Sequence, residues 1–188
     1  MPNSPSLEGC AASLGRELLH LSLHTDYGLR LLMRLTLVEP GAWIATPTIA
    51  QRFGISVHHL QKIAQALVRA GVVEARQGRA GGVRLAQNPR DIRLGRLVAE
   101  LEGVGTVVDC QRDPCRLLSR CRLKWALDAA EQAFFLELDR LTLADVAAGS
   151  TAAALGALFD EPDDGSSTPA DPFDDTLADA SADPAPGN

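Results

Sequence analysis

Three cysteines, Cys110, Cys115 and Cys121, fall within twelve residues in the spacing C-x4-C-x5-C, around Asp113-Pro114. A thiolate is a soft ligand that suits zinc and iron–sulfur centres alike. Zinc sites favour tighter C-x2–4-C pairs, whereas a wider spacing lets a loop wrap a larger inorganic core. Three thiolates leave one coordination position to another donor or to incoming chemistry, which suits a sensor better than a structural staple. Five bases, Arg112, Arg116, Arg120, Arg122 and Lys124, surround the cysteines. They offset the negative charge of a thiolate-bound centre and lower the thiol pKa values. The start of the chain has neither a basic segment nor a continuous apolar run of the export type. The sequence therefore predicts a cytoplasmic protein whose clustered thiols bind metal rather than form disulfides. Cys10 stands apart, and we expect it to be a bystander.

A second kind of chemistry is carried by charge. The net charge of −6 comes from 24 acidic and 18 basic residues, yet every base lies at or before Arg140. From Asp160 onward there are nine acids and no base. Between Gln51 and Arg96 nine bases face two acids, a concentrated positive segment of the kind that meets phosphates. His20, His24, His58 and His59 have no nucleophile at a recognisable spacing, so nothing points to an enzyme. No apolar run approaches the length of a membrane span, and no membrane partner is expected.

The elements that must position these residues read as mainly α with one small β-hairpin. Thr25 is a candidate cap for a helix over 26–38, stopped by Pro40-Gly41. Thr46-Pro47 opens a short helix that ends at Gly54. Ser56 caps the next, over 57–70, ending at Gly71. Val57, Leu60, Ile63, Ala64, Leu67 and Val68 form its apolar stripe, while His58, His59, Gln61, Lys62, Gln65 and Arg69 occupy the other face. Two short helices across a tight turn make a helix-turn-helix. Strands over 72–76 and 82–86 flank the glycine-containing turn 77–81, which predicts a basic wing carrying Arg76, Arg79 and Arg84. The DNA-reading set is then Ser56, His58, His59, Gln61, Lys62, Gln65, Arg76, Arg79 and Arg84, with double-stranded DNA as partner.

A further helix is expected over 91–101, before the cysteines. After them a long helix over 122–148 carries Leu123, Leu127, Ala130, Phe134, Leu138 and Leu141 at spacings of 4, 3, 4, 4 and 3. That near-3.5 period predicts a helix packed along a partner, and we read it as the seam of a homodimer. The organisation is an N-terminal extension (1–20), a winged helix-turn-helix domain (21–103), a cluster-binding loop (104–121), a dimerisation helix (122–150) and an acidic tail too polar to bury a core (151–188).

In this order the residues resemble the IscR/NsrR family of winged-helix iron–sulfur transcription regulators, and within it the nitric-oxide-sensing repressors. The resemblance runs through Thr25-Asp26-Tyr27-Gly28-Leu29-Arg30, Ser56-x-x-His59-Leu60-x-Lys62-Ile63 and Arg69-Ala70-Gly71-x-Val73. It continues through Gly81-Gly82-Val83-Arg84-Leu85, Ile92-Arg93-Leu94-Gly95, Leu97-Val98-x-Glu100-Leu101-Glu102 and Cys121-Arg122-Leu123-Lys124. About two-thirds of the chain is covered. The resemblance implies a homodimeric repressor whose iron–sulfur cluster, 4Fe–4S rather than 2Fe–2S, supports operator binding. Nitric oxide, as signal, would nitrosylate the cluster, release the operator and derepress nitric-oxide detoxification genes. It also offers Asp26 from the partner subunit as a fourth ligand, beside the plain reading of an acid favoured in a helix's first turn. Arg30 stands four residues on, where it would pair with Asp26 if the cluster were lost. Relatives usually carry Arg just before the wing's first glycine, where this chain has Gln77, so Arg79 is the expected substitute. Two alternatives stay open. One is a sibling regulator responding to redox or iron–sulfur status, the other a zinc-stabilised DNA-binding protein without sensing.

Overall fold

The structure, a computed structural model, describes residues 21–78, 81–103, 107, 110 and 115–160. The extension (1–20, with Cys10), Arg79 at the wing tip, much of the cysteine loop and the acidic stretch 161–188 lie outside the described residues.

The helix α1 (Leu23–Thr36) is the central strut. It buries Leu31, Leu32 and Leu35, one side of an amphipathic turn pattern, against the helices that follow. Its cap is Ser22, three residues before the expected Thr25. Ser22 Oγ accepts from Thr25 N at 3.2 Å, and the Glu102 carboxylate accepts from Ser22 N at 2.8 Å and from its Oγ at 3.1 Å. Thr25 is fully buried and already inside the helix, so a capping role there is corrected.

Helices α2 (Thr46–Phe53) and α3 (Val57–Arg69) form the helix-turn-helix. Ala45, not Thr46, takes the cap position of α2, and Pro47 lies in the first turn, where a missing N–H costs nothing. Gly54 ends α2 at φ 63°, and Ser56 caps α3 by accepting from His59 N, as its type and position predict. The core joins Ile49 and Ala50 of α2 to Leu60, Ile63, Ala64 and Leu67 of α3. Val57 and Val68, assigned to the apolar stripe by spacing, each keep 38% of their surface exposed.

The wing is β1 (Val73–Arg76) paired antiparallel with β2 (Gly82–Leu85), Val73 opposite Leu85 and Arg76 opposite Gly82. Ile44 extends this sheet by exchanging backbone hydrogen bonds with Val83. That close approach requires glycine at 82, because a Cβ there would run into the Ile44 carbonyl.

The next helix, α4 (Leu94–Glu102), starts later than the expected 91, since the Arg93 backbone bridges to Thr142. It crosses α5 (Arg122–Leu138) at Gly95. The single helix expected over 122–150 is not formed. The chain leaves α5 after Leu138, Leu141 O accepts from Leu94 N at 3.0 Å, and a capping box of Thr142 and Asp145 starts the short α6 (Leu143–Val146). Leu143 is fully buried in the main core. The tail expected from 151 also needs correcting, because its first ten residues lie in helix α7 (Ser150–Asp160). Phe159 of α7 packs on Phe53 of α2, ring centroids 5.5 Å apart. Among the described residues, no helix is long and apolar enough to cross a membrane.

Candidate DNA-reading surface and cysteine loop

Burying Leu60, Ile63, Ala64 and Leu67 fixes the rotation of α3 and turns the opposite face outward. His58, Gln61, Lys62, Gln65 and Arg69 are all exposed on it. Side chains of these types are able to donate to or accept from base edges and phosphates. His59 is placed differently. It is half-buried, with its ring edge-on to Tyr27 of α1 at 5.5 Å, so it ties α3 to α1. Ser56 serves the backbone as the α3 cap.

A cleft of about 620 Å³ separates α3 from the wing, with Gln61 and Gln65 on one wall, Arg76 and Gly82 on the other, and Thr46 and Pro47 at one end. Trp43 organises the wing side. The guanidinium groups of Arg76 and Arg84 each lie 4.6 Å from its ring centroid. Arg84 is further held by Glu74, with Nε to Oε2 at 2.8 Å and a second nitrogen at 2.6 Å. Arg84 is therefore a brace for the hairpin, while Arg76 stands at the cleft. Sequence reasoning passed over Trp43, since a lone aromatic after a Pro-Gly turn has no motif around it. Its only signal was the pair of strand arginines within reach.

On α1, Asp26 and Arg30 form a two-point ion pair, Nε to Oδ1 at 3.1 Å and NH2 to Oδ2 at 2.7 Å. Arg30 also lies 5.7 Å from the Tyr27 ring. Nearby, His24 is held below the usual imidazole range, first by burial and then by the charge of His59. Glu102 feels burial pushing its carboxyl up, but hydrogen bonds from Thr25 and Ser22 outweigh this and hold it below its ordinary value.

The cysteine loop is strung between α4 and α5. Cys110 and Cys121 are half-buried and Cys115 is exposed. Cys121 caps α5, its Sγ accepting from Lys124 N at 3.4 Å, which places the sulfur at the positive end of the helix. The Lys124 ammonium is raised above its usual range chiefly by its hydrogen bond to Asp128, with the charge of Cys110 adding to it. The donor set thus suits a sulfur-ligated iron centre: three thiols, a helix N-terminus at one and a cation within the field of another. Among the described residues, no three metal-ligating side chains are gathered at one point. Asp113, between the cysteines, lies outside the described residues.

The α5 helix itself buries no residue in the single chain. Trp125 and Leu136, on one side of the helix, and Leu123, on the other, are each more than 60% exposed, and among the described residues nothing covers them. Leu138, part of the expected seam, packs instead against the chain's own core.

Comparison with known proteins gives four matches of one kind. The model of the Rrf2 family, described as iron-dependent transcriptional regulators, matches residues 21–149. The HTH-type transcriptional repressor NsrR of Streptomyces coelicolor is 44% identical over 146 residues, which is 77% of this chain and 99% of that protein. Among solved structures, IscR of T. potens matches with a TM-score of 0.56 at 28% identity, over 70% of this chain and 88% of its own. The global cysteine regulator CymR of B. subtilis matches with a TM-score of 0.52 at 29% identity, over 69% and 96%.

Proposed function

The chain belongs to the Rrf2 family of transcriptional regulators, whose model spans 21–149, and from that premise we propose that it is a homodimeric, cytoplasmic repressor that senses nitric oxide through an iron–sulfur cluster. One observation carries the DNA-binding half of this reading. The rotation of α3 leaves His58, Gln61, Lys62 and Gln65 exposed beside the cleft to the wing, on the most basic stretch of the chain. Base edges are read from α3 in the major groove, and Arg76 with Arg79 meets the backbone and minor groove. His59 and Ser56 hold α3 in place rather than read bases.

For the sensing half, Cys110, Cys115 and Cys121 are the residues that would hold the cluster, of the 4Fe–4S type, with Asp26 from the partner subunit as fourth ligand. A cluster held there would supply iron reactive toward nitric oxide, so that its loss would release the operator. The protein's own part is to offset thiolate charge with Lys124 and the α5 N-terminus. In the single chain Asp26 rests on Arg30, the partner it would return to on leaving a cluster. The 44% identity to a repressor named NsrR favours nitric oxide over a general redox signal. The open apolar surface of α5 supports dimerisation there.

The test is binding of duplexes with varied sequence by cluster-loaded protein. Gln61→Ala should change base preference at a cost of about 1–3 kcal/mol on the preferred site, with an unchanged salt slope. If it shifted only the salt slope, α3 would not be the base-reading element.

A further inference from the structure

Helix α7 lies beyond the stretch matched by the family model, and it is moored to the helix-turn-helix rather than trailing from it. Its last turn sets Phe159 edge-on to Phe53, at the C-terminal end of α2, and beneath the Arg34 guanidinium at 4.2 Å. Burial pushes Arg34 below its ordinary range, Asp160 counters this, and among the described residues its Nε is buried without a hydrogen-bond partner. A half-buried guanidinium laid on an aromatic face is an attachment point. The helix therefore places Phe159 beside the C-terminal end of α2, where Phe53 lies four residues in sequence before the first residue of α3.

From that point the chain continues with Glu161, Asp163, Asp164, Asp171, Asp174, Asp175, Asp179 and Asp183, and no base follows to 188. On the described part of the chain stand Arg52, next to the mooring residue Phe53, and Lys62 and Arg69 on the exposed face of α3. Among the described residues these three have no ion-pair partner, whereas Arg30, Arg84, Arg96, Lys124 and Arg140 each have one. Reach is ample. Helix α3, at 13 residues, is about 20 Å long, and ten extended residues span roughly 33 Å.

We propose that residues 161–188 lie across the basic face of α2 and α3 as an internal stand-in for DNA phosphate, moored there by α7. The proposal rests on the DNA-reading assignment above and adds a regulation to it. DNA must displace the stretch, so weakly held, non-specific duplex is rejected while an operator with base contacts competes successfully. Covering the face for most of the time lowers apparent affinity in proportion to the fraction left open. That corresponds to about three- to tenfold at low salt, for a tethered segment at millimolar effective concentration.

The experiment compares the full chain, a chain ending at Asp160, and a full-length variant with Asp163→Asn, Asp164→Asn, Asp174→Asn and Asp175→Asn. Each is titrated with mixed-sequence duplex DNA at several salt concentrations. The shortened and charge-reduced proteins should bind about three- to tenfold more tightly than the full chain at low salt, and the gap should close as salt rises. Equal affinity of all three would overturn the proposal. So would tighter binding by the shortened chain alone, which would mean bulk rather than charge. Amide NMR spectra of the full and shortened chains without DNA give an independent reading. Differences at Arg52, Lys62 and Arg69 that vanish with salt are expected, and identical spectra would refute the contact. If no protein bound DNA while those differences were present, the DNA-reading assignment would fail and the internal contact would stand.

Discussion

Replacing Gly95 by alanine would place a methyl group where α4 crosses α5. A Cβ there runs into the Phe135 carbonyl and comes within 2.8 Å of both the Cβ and the backbone nitrogen of Asp139. Carbon atoms pack at about 3.5–4.0 Å, so the helices must separate by most of an ångström. The obstacles include backbone on the facing helix, and no rotamer change relieves them. Overpacking costs about 1–3 kcal/mol, and this site belongs near the upper end. For a chain of this size that is a fall in Tm of roughly 5–10 °C. The contact lies at the start of α4 and the end of α5, away from the cysteine loop, so iron retention should be unchanged. Gly156 is the internal control. It sits in α7 with nothing within 4 Å of a Cβ, so Gly156→Ala should stabilise by about 0.5–1 kcal/mol through helix propensity alone. Thermal unfolding and iron analysis of both variants decide the matter. An unchanged Tm in Gly95→Ala would refute the α4–α5 crossing.

Three further outcomes follow from the structure. Trp125→Glu with Leu136→Glu should yield monomers by light scattering with the helical signal retained, because both side chains are exposed in the single chain; a persisting dimer would move the interface off this face. Trp43→Ala removes the platform shared by Arg76 and Arg84, so duplex affinity should drop by about 1 kcal/mol irrespective of sequence; a loss confined to one sequence would place Trp43 in base reading. Glu102 has a carboxyl pKa lowered by Ser22 and Thr25, so it stabilises the fold above the ordinary carboxylate range and this is lost as pH falls through its folded value; Glu102→Gln should flatten the acid limb of the stability profile, and an unaltered limb would remove the Ser22–Glu102 link.

The parts legible in the sequence were those fixed by local rules. Ser56 and Gly71 bound α3 because a hydroxyl satisfies an orphan N–H and glycine tolerates a left-handed backbone. The wing followed from two short strands flanking a glycine-containing turn. The misread parts were decided by distant partners. The stripe from Leu123 to Leu141 kept helical spacing through residues that are not helical, because Leu94 and Arg93 draw the chain out at 141–142. The Thr142–Asp145 capping box was visible as the restart signal. Likewise 151–160 reads as an extension of a polar tail until Phe159 finds Phe53 and Arg34. At the site, residue types were legible but pairings were not. Nothing in the spacing told that His59 faces Tyr27 or that Arg84 is held by Glu74 and Trp43.

The most direct test of the account is the visible spectrum and duplex affinity of anaerobically purified full-length protein, measured together while nitric oxide is added. The account predicts a coloured protein with iron and sulfide bound through Cys110, Cys115 and Cys121, whose tight duplex binding is lost as nitric oxide bleaches the absorption. A colourless, zinc-loaded protein that holds the same duplex equally well with and without nitric oxide would contradict it.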